Sequence, residues 1–256
     1  MIHPTAVVDP SAQLDDGVEV GPYAIIGADV RIGQGTWIGP HALVNGPSVI
    51  GRDNRIFQFA SVGEIPQDKK YNGELTKLTL GDRNVVRESA TLHRGTAQGG
   101  GETRIGNDNL FMAYTHVAHD CIIGDQVIMA NAASLGGHVV IEDWAILGGF
   151  TVVHQFCRIG AHSFSAMGSV IGKDVPPYIT IDGHPAVPRG INSEGLKRRH
   201  FSSAQINAIR RAYRLLYLSN LKLDEANRAL AELAEAEPVV GIMTAFLNAS
   251  ARSIVR

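Results

Sequence analysis

From the first residues onward an aliphatic side chain recurs every six positions. Ile2, Val8, Leu14, Val20, Ile26, Ile32, Ile38, Val44, Ile50, Ile56 and Val62 follow one another without a slip. Between Ile105 and Val175 the period returns, and an aliphatic, Phe or Met residue opens eleven of twelve blocks of six, with Ser165 the exception. The fifth residue of each of these blocks is small or modest: Asn109, Thr115, Cys121, Val127, Ala133, Val139, Ala145, Thr151, Cys157, Ser163, Ser169 and Val175. A period of six fits neither a helix stripe nor simple strand alternation, but it fits a solenoid whose short strands turn a corner at every repeat. Three such strands close a triangular coil, so residues eighteen apart stack in neighbouring coils separated by about 4.8 Å. The fold class expected is mainly β, a parallel β-helix built from hexapeptide repeats. One coil cannot bury its inward side chains alone, so stability comes from stacking many. The glycines that follow leading residues, at Gly21, Gly27, Gly33, Gly39 and Gly51, are read as corners needing backbone freedom.

Two stretches break the period. Residues 63–79, GEIPQDKKYNGELTKLT, leave the prism as an inserted loop, whose Gln67, Asp68, Lys69, Lys70 and Tyr71 favour a binding role. Residues 94–104 form a second insertion, read as a flexible excursion because its glycines match no nucleotide motif. The solenoid is expected to close at DVPPYI, where Pro176 and Pro177 end strand pairing. After Gly190 the pattern turns helical. A capping box runs from Ser202 to Gln205, an apolar stripe follows at Ile206, Ile209, Tyr213, Leu216 and Tyr217, Asp224 starts another helix, Pro238 stops it, and a last short helix reaches the C-terminus. The chain thus divides into a β-helix domain, 1–190, and a C-terminal α-helical domain, 191–256.

Composition narrows the setting. With 45% hydrophobic residues in 256 there is ample material for a core, and no long apolar run or basic-flanked leader is present. A soluble, cytoplasmic chain without a membrane span is expected. Cys121 and Cys157, two coils apart in interior slots, are too distant for a disulfide and read as buried thiols. From residue 191 onward ten Lys and Arg face six Asp and Glu, a net of +4, whereas the first 190 residues carry −6. Lys197, Arg198, Arg199, Arg210, Arg211 and Arg214 therefore form a candidate docking surface for an acidic partner, or else a solvated helical face. Nucleic acid fits poorly, because no aromatics are interleaved with the basic residues and the whole chain is weakly acidic.

Chemistry concentrates in the repeat. A step of eighteen places His119, Gly137 and Gln155 in one column and Asp120, His138 and Phe156 in the next, with His154 adjoining. A neutral imidazole is the natural base for a hydroxyl. A glycine one coil away offers an unobstructed N–H to a developing oxyanion. Asp120, His138 or Gln155 would orient the ring or the incoming hydroxyl. These are the parts for acyl transfer to an alcohol without a covalent enzyme intermediate, since no Ser or Cys stands out as a nucleophile. His3, His41, His93, His162 and His200 read as surface or satisfied residues. Metal binding remains a rival use of the cluster, as in carbonic-anhydrase-type solenoids, although His116-x-x-His119 at a corner does not obviously aim both rings at one ion. The expected metal content is none.

The repeat, together with QDKKY, RESATLHRGT, HVAHDC, GGH, VHQFC, DVPPY and NSEGLKRR, resembles the acyl-carrier-protein-dependent UDP-N-acetylglucosamine O-acyltransferases, which begin lipid A synthesis. The resemblance covers nearly the whole chain. It implies a left-handed β-helix and a homotrimer with active sites in clefts between subunits. It implies His119 as general base with Asp120 beside it, Gly137 as oxyanion donor, His138 as a sugar contact, and His154 and Gln155 lining the reaction centre. Gln67, Asp68, Asn192, Glu194 and Arg198 would contact the nucleotide sugar, Lys70 would lie toward the acyl donor, and the basic helices would dock acyl carrier protein. No cofactor is implied, the acyl group arriving on the carrier's phosphopantetheine. DGHPAV, around His184 and Pro185, departs from the Asn-His of some members. Met167 stands where relatives using long acyl chains have Gly, and implies a donor of roughly ten carbons. The related N-acyltransferase, with its extra domain before the solenoid, is not expected here because the repeat starts at Ile2. Coenzyme A users of the same repeat remain open. An ice-binding scaffold would need outward threonine ladders, which the chain lacks.

Overall fold

The computed structural model describes residues 1–250 and 252–256. Its body is a left-handed parallel β-helix whose walls are sheets of nine, eight and ten strands. Most strands are two residues long and, away from the two insertions, pair with the strand eighteen residues on, as in Val7↔Ile25, Gln13↔Arg31 and Glu19↔Trp37; across the insertions the step widens to 30 and 25, as in Ser61↔Thr91 and Val85↔Leu110. The leading residues point inward: Ile26, Ile32, Ile38, Ile50, Ile56 and Leu135 are among the largest fully buried side chains. All twelve fifth-position residues from Asn109 to Val175 are buried as well. Ser165 keeps its place in this apolar axis because its hydroxyl is satisfied there, by Thr151 Oγ1 at 2.8 Å and by the Gly148 N–H at 3.1 Å. Interior asparagines do the same in series: Asn54 Oδ1 accepts the Asn84 N–H, Asn84 Oδ1 the Asn109 N–H, and Asn109 Oδ1 the Val127 N–H.

The corners are made differently from the expectation. Left-handed backbone falls on residues such as Tyr23, His41, Asp120, His138 and Phe156, with φ of 56–66°. Gly21 and Gly33 have no positive φ. They are needed because a Cβ there would lie 2.8 Å from backbone of the next coil, Pro40 N and Gly51 C respectively. Close coil packing, not conformational freedom, selects those glycines.

The insertions are shorter and more ordered than their sequences suggest. Strands Ser61–Glu64 and Lys77–Leu80 reach into the first, leaving 65–76 as the excursion. The second is not a flexible excursion: it holds a 3-10 turn, Ala97–Gly99, and then strand Glu102–Ile105. Pro176 and Pro177 do not end the pairing, because they fall in a corner outside any strand. Strand Ile179–Gly183 continues the sheet in parallel with Phe164–Ser165, and Ala186–Ile191 folds back antiparallel to close it, with His184 and Pro185 at the exposed tip.

Among the described residues four helices follow: α1 (Ser193–Arg198), α2 (Ser203–Tyr217), α3 (Leu223–Ala236) and α4 (Gly241–Ala249). The capping box at Ser202 and Gln205 is formed. The last helix does not reach the C-terminus. The tail returns to the solenoid, where Ile254 bridges to Asp174 and both Ile254 and Val255 are buried.

The helical layer is pinned on one corner column. Trp144, His162 and Tyr178 stack ring on ring, Phe201 meets the last two edge-on, and the Tyr178 hydroxyl donates to Val239 O at 2.8 Å. Burial, then the Arg199 charge, hold His162 down to about 4, while burial and neighbouring His116 do the same to His93. Both rings titrate near 6.5 when unfolded, so between that value and about 4 only the unfolded chain takes up these protons. Thermal stability should therefore fall as pH drops from 6.5 toward 4, and melting curves at stepped pH would show it. His162→Phe, which keeps the stack and removes the proton site, should flatten that slope.

Candidate active site

His119 and Asp120 occupy the corner after strand His116–Val117, and the positive φ of Asp120 turns its carboxylate back toward the preceding ring. His119 Nδ1 lies 2.7 Å from Asp120 Oδ2. An ionised carboxylate only accepts, so Nδ1 carries the proton and Nε2 presents its lone pair. Asp120 is 5% exposed, and its oxygens also accept the Thr96 N–H at 2.8 Å and the Thr96 hydroxyl at 2.6 Å. One coil on, Gly137 lies directly under the imidazole: a Cβ there would stand 2.5 Å from His119 Cε1 and 2.7 Å from Nε2. Among the described residues the Gly137 N–H has no acceptor, while the neighbouring His138 N–H donates to His119 O at 3.0 Å.

His138 stands beside the pair. Its ring meets His119 edge-on at 5.2 Å and stacks on Phe156 at 4.4 Å. Its Nε2 is 3.7 Å from Asp120 Oδ2, too long for a direct hydrogen bond. Burial first, then the proximity of His119, lower its pKa against the opposing charges of Asp120 and Asp68, which favours the neutral ring at physiological pH. Asp68 of the first loop is therefore brought toward the site within one chain. The nitrogens of His119 and His138 and a carboxylate oxygen of Asp120 lie within 4.8 Å of one another, close enough for a metal to bridge. The hydrogen bonds on His119 Nδ1 and on both Asp120 oxygens already account for their orientation without an ion.

Other predicted residues are spread along the same edge. His154 and Gln155 are exposed one coil beyond Gly137, and the Gln155 carbonyl accepts Arg252 from the tail at 2.8 Å. Met167 is exposed. Gln67 and Lys70 are exposed in the first loop, where Asp68 Oδ1 accepts the Lys70 N–H at 2.9 Å. Asn192 is buried and its amide caps α1, accepting the Gly195 N–H while donating to His162 O, so its contact with any ligand is limited. Glu194 and Arg198 stay exposed on that helix.

The basic patch is thinner than the sequence count implied. Arg199 is half-buried, lies over Trp144 at 5.1 Å and donates to His162 Nδ1 at 3.1 Å, which makes it a clamp for α1 rather than a free docking group. Lys197 pairs with Glu194 at 2.7 Å and Arg211 with Glu237 at 2.6 Å. Arg210 and Arg214 remain exposed, Arg210 bonding only Asn207. His93 is not a surface residue: it is 3% exposed and meets His116 edge-on. Sequence reasoning placed Phe156 beside His138 but missed Thr96 and Thr103. Both lay in a stretch taken as flexible, although Thr103 stands eighteen before Cys121 and hence next to Asp120.

A family model described as UDP N-acetylglucosamine O-acyltransferase, domain 2, matches residues 174–255, and one for the bacterial transferase hexapeptide matches 102–137. Proteins named acyl-[acyl-carrier-protein]–UDP-N-acetylglucosamine O-acyltransferase from Herminiimonas arsenicoxydans and Neisseria gonorrhoeae are 55% and 54% identical, each over 100% of this chain and 99% of their own. The chain belongs to this O-acyltransferase family. The solved UDP-N-acetylglucosamine acyltransferase of Francisella novicida superposes with a TM-score of 0.98 at 42% identity, over 100% of this chain and 94% of that one. That of Acinetobacter baumannii gives 0.97 at 46%, over 100% and 99%. The protein is therefore an acyl-carrier-protein-dependent O-acyltransferase, and the coenzyme A and carbonic-anhydrase alternatives that the residues left open fall away.

Proposed function

We propose that the protein moves a (3R)-3-hydroxyacyl chain from acyl carrier protein to the 3-hydroxyl of UDP-N-acetylglucosamine, the first step of lipid A synthesis, with His119 as general base. The observation that carries this reading is the imidazole of His119 packed on Gly137 of the next coil, with Nδ1 fixed on Asp120 at 2.7 Å and Nε2 left free. Nε2 takes the proton as the sugar oxygen attacks the thioester carbonyl. The negative charge that develops on the carbonyl oxygen meets the Gly137 N–H. Collapse breaks the C–S bond, and the imidazolium returns its proton to the leaving phosphopantetheine thiolate. Asp120 stabilises the imidazolium, and neutral His138 is available to the sugar.

Several partner assignments belong to the same reading. Tyr23, Phe59, Tyr114, Phe150 and Phe156 are large apolar side chains left 51–69% exposed by one chain, and a homotrimer with sites in the clefts between subunits would cover them. The nucleotide sugar would engage Gln67, Asp68, Glu194 and Arg198, with Lys70 toward the donor. Acyl carrier protein would dock on α2, where Arg211 and Arg214 rim an apolar groove of 460 Å³ lined by Leu215, Leu218 and Leu233. Among the described residues no helix is long and apolar enough to cross a membrane. Both substrates place the reaction in the cytoplasm, and no cofactor is needed.

The test is direct. Purified protein with (3R)-3-hydroxyacyl carrier protein and UDP-N-acetylglucosamine should yield the 3-O-ester by mass spectrometry and NMR. No ester, or an acyl group on another position, would overturn the assignment.

Met167 sets the donor length in this reading. Its side chain is 75% exposed beside Gly168, where it would end an apolar groove formed with a second subunit. Met167→Gly should move the preferred donor from roughly ten carbons upward by about four, the length of the side chain removed. A donor series assayed by competition would show it, and an unchanged preference would dismiss Met167 as the stop.

A further inference from the structure

Asp120 is gripped by a segment that lies off the line of reacting atoms. Thr96 donates twice, its N–H to Oδ1 at 2.8 Å and its hydroxyl to Oδ2 at 2.6 Å, and Oδ2 is the oxygen that faces His119 Nδ1. On the other side the Asp120 N–H donates to the Thr103 hydroxyl at 2.8 Å. Thr96 and Thr103 stand near opposite ends of the 94–104 insertion, so that insertion holds both the main chain and the side chain of Asp120. The 3-10 turn between them is closed by the same Thr96 hydroxyl, which accepts the Gly99 N–H at 3.1 Å. Gly99 has no space for a side chain, because a Cβ there would overlap the Asp120 carboxylate. The turn is therefore packed directly on the carboxylate as well as bonded to it.

A carboxylate carries two equivalent oxygens and turns easily about its terminal bonds, so one hydrogen bond to His119 would leave the imidazole a range of orientations. The paired donors of Thr96 remove that freedom. The ring plane of His119 is then set, and with it the place of Nε2 beside Gly137. Misplacement of a reacting group by about 1 Å costs rates on the order of a hundredfold, so restraint of this kind has kinetic weight.

We propose that Thr96 is a positioning residue for this reaction, acting only through Asp120, and that the 94–104 insertion exists in this fold to hold that carboxylate. The inference rests on His119 and Asp120 being the acid–base pair. Thr96→Val keeps the shape and the backbone donor but removes the hydroxyl. It should lower kcat about tenfold, the loss of one hydrogen bond to a charged group, with KM for both substrates within about twofold. Thr96→Ser restores the hydroxyl and should recover most of the rate. Where valine disturbs the turn, Thr96→Cys, similar in size with a weaker donor, serves the same comparison.

The deciding experiment is a double-mutant cycle in single-turnover transfer, with UDP-N-acetylglucosamine affinity measured by calorimetry to confirm an intact site. In an Asp120→Ala background Thr96→Val should add nothing, because its only route is gone. A slow Asp120→Ala variant in which Thr96→Val still costs its full tenfold would overturn this inference and leave the base assignment standing. An Asp120→Ala variant as fast as the parent would overturn both. Failure of Thr96→Ser to recover the rate would also overturn it, since the hydroxyl would then not be the active group.

Discussion

His119→Ala lowers kcat by about 10²–10⁴-fold, the range that a lost general base costs, with affinity for UDP-N-acetylglucosamine retained. The sugar hydroxyl is a poor nucleophile while it keeps its proton, and no other group can take its place readily. His138 is the nearest substitute, but its ring centre is 5.2 Å away and its Nε2 is turned toward Asp120. The fold itself should survive. His119 projects from a corner, outside the aliphatic axis, and Asp120 keeps both Thr96 donors when the imidazole is gone. Steady-state transfer, thermal melting and calorimetric binding of the nucleotide sugar on one preparation separate these effects. Turnover near that of the parent would remove His119 from the chemistry.

Gly137→Ala is the second large loss, and it comes from a single methyl group. Its backbone does not need glycine, since no positive φ occurs there. The added carbon would stand 2.5–3.1 Å from three imidazole atoms of His119, closer than a side chain tolerates. The ring must swing away, which breaks its bond to Asp120 or moves Nε2 away from Gly137. A displacement of about 1 Å is enough for a loss on the order of 10²-fold in kcat. The sign of the comparison is informative: in a His119→Ala background the methyl group meets no ring, so Gly137→Ala should cost far less there than in the parent. Equal losses in both backgrounds would mean that Gly137 acts on something other than the imidazole.

The period of six was enough to place the strands, because one residue slip would move every inward side chain out of the axis. It also placed the site. Stacking at eighteen brought His119 to Gly137 and Asp120 to His138 before any contact was seen, and the imidazole does lie on that glycine. What the period could not show was anything that leaves it. Thr96 reaches Asp120 across 24 positions of sequence and an insertion that breaks the register, so no spacing rule links them. Gly21 and Gly33, after leading residues, looked like corner glycines, yet they answer to the neighbouring coil's backbone, a contact invisible in one strand. Charge counting found the basic tail but not its fate. Arg199 is spent on Trp144 and His162, a tertiary contact between solenoid and helix, and Lys197 and Arg211 pair with acids. The prolines misled for a similar reason: a proline ends pairing within a strand, but these two occupy a corner, and the sheet resumes beyond them.

The central claim is that the sugar hydroxyl attacks the thioester in one step, with His119 as base and no acyl group ever held by the protein. The measurement that addresses it is the intact mass of the protein rapidly mixed with acyl carrier protein substrate, before and after UDP-N-acetylglucosamine is added. The account predicts an unchanged protein mass and an intact thioester until the nucleotide sugar arrives, then ester formation at the steady-state rate. A stoichiometric acyl-protein adduct that the sugar discharges at that rate would contradict it.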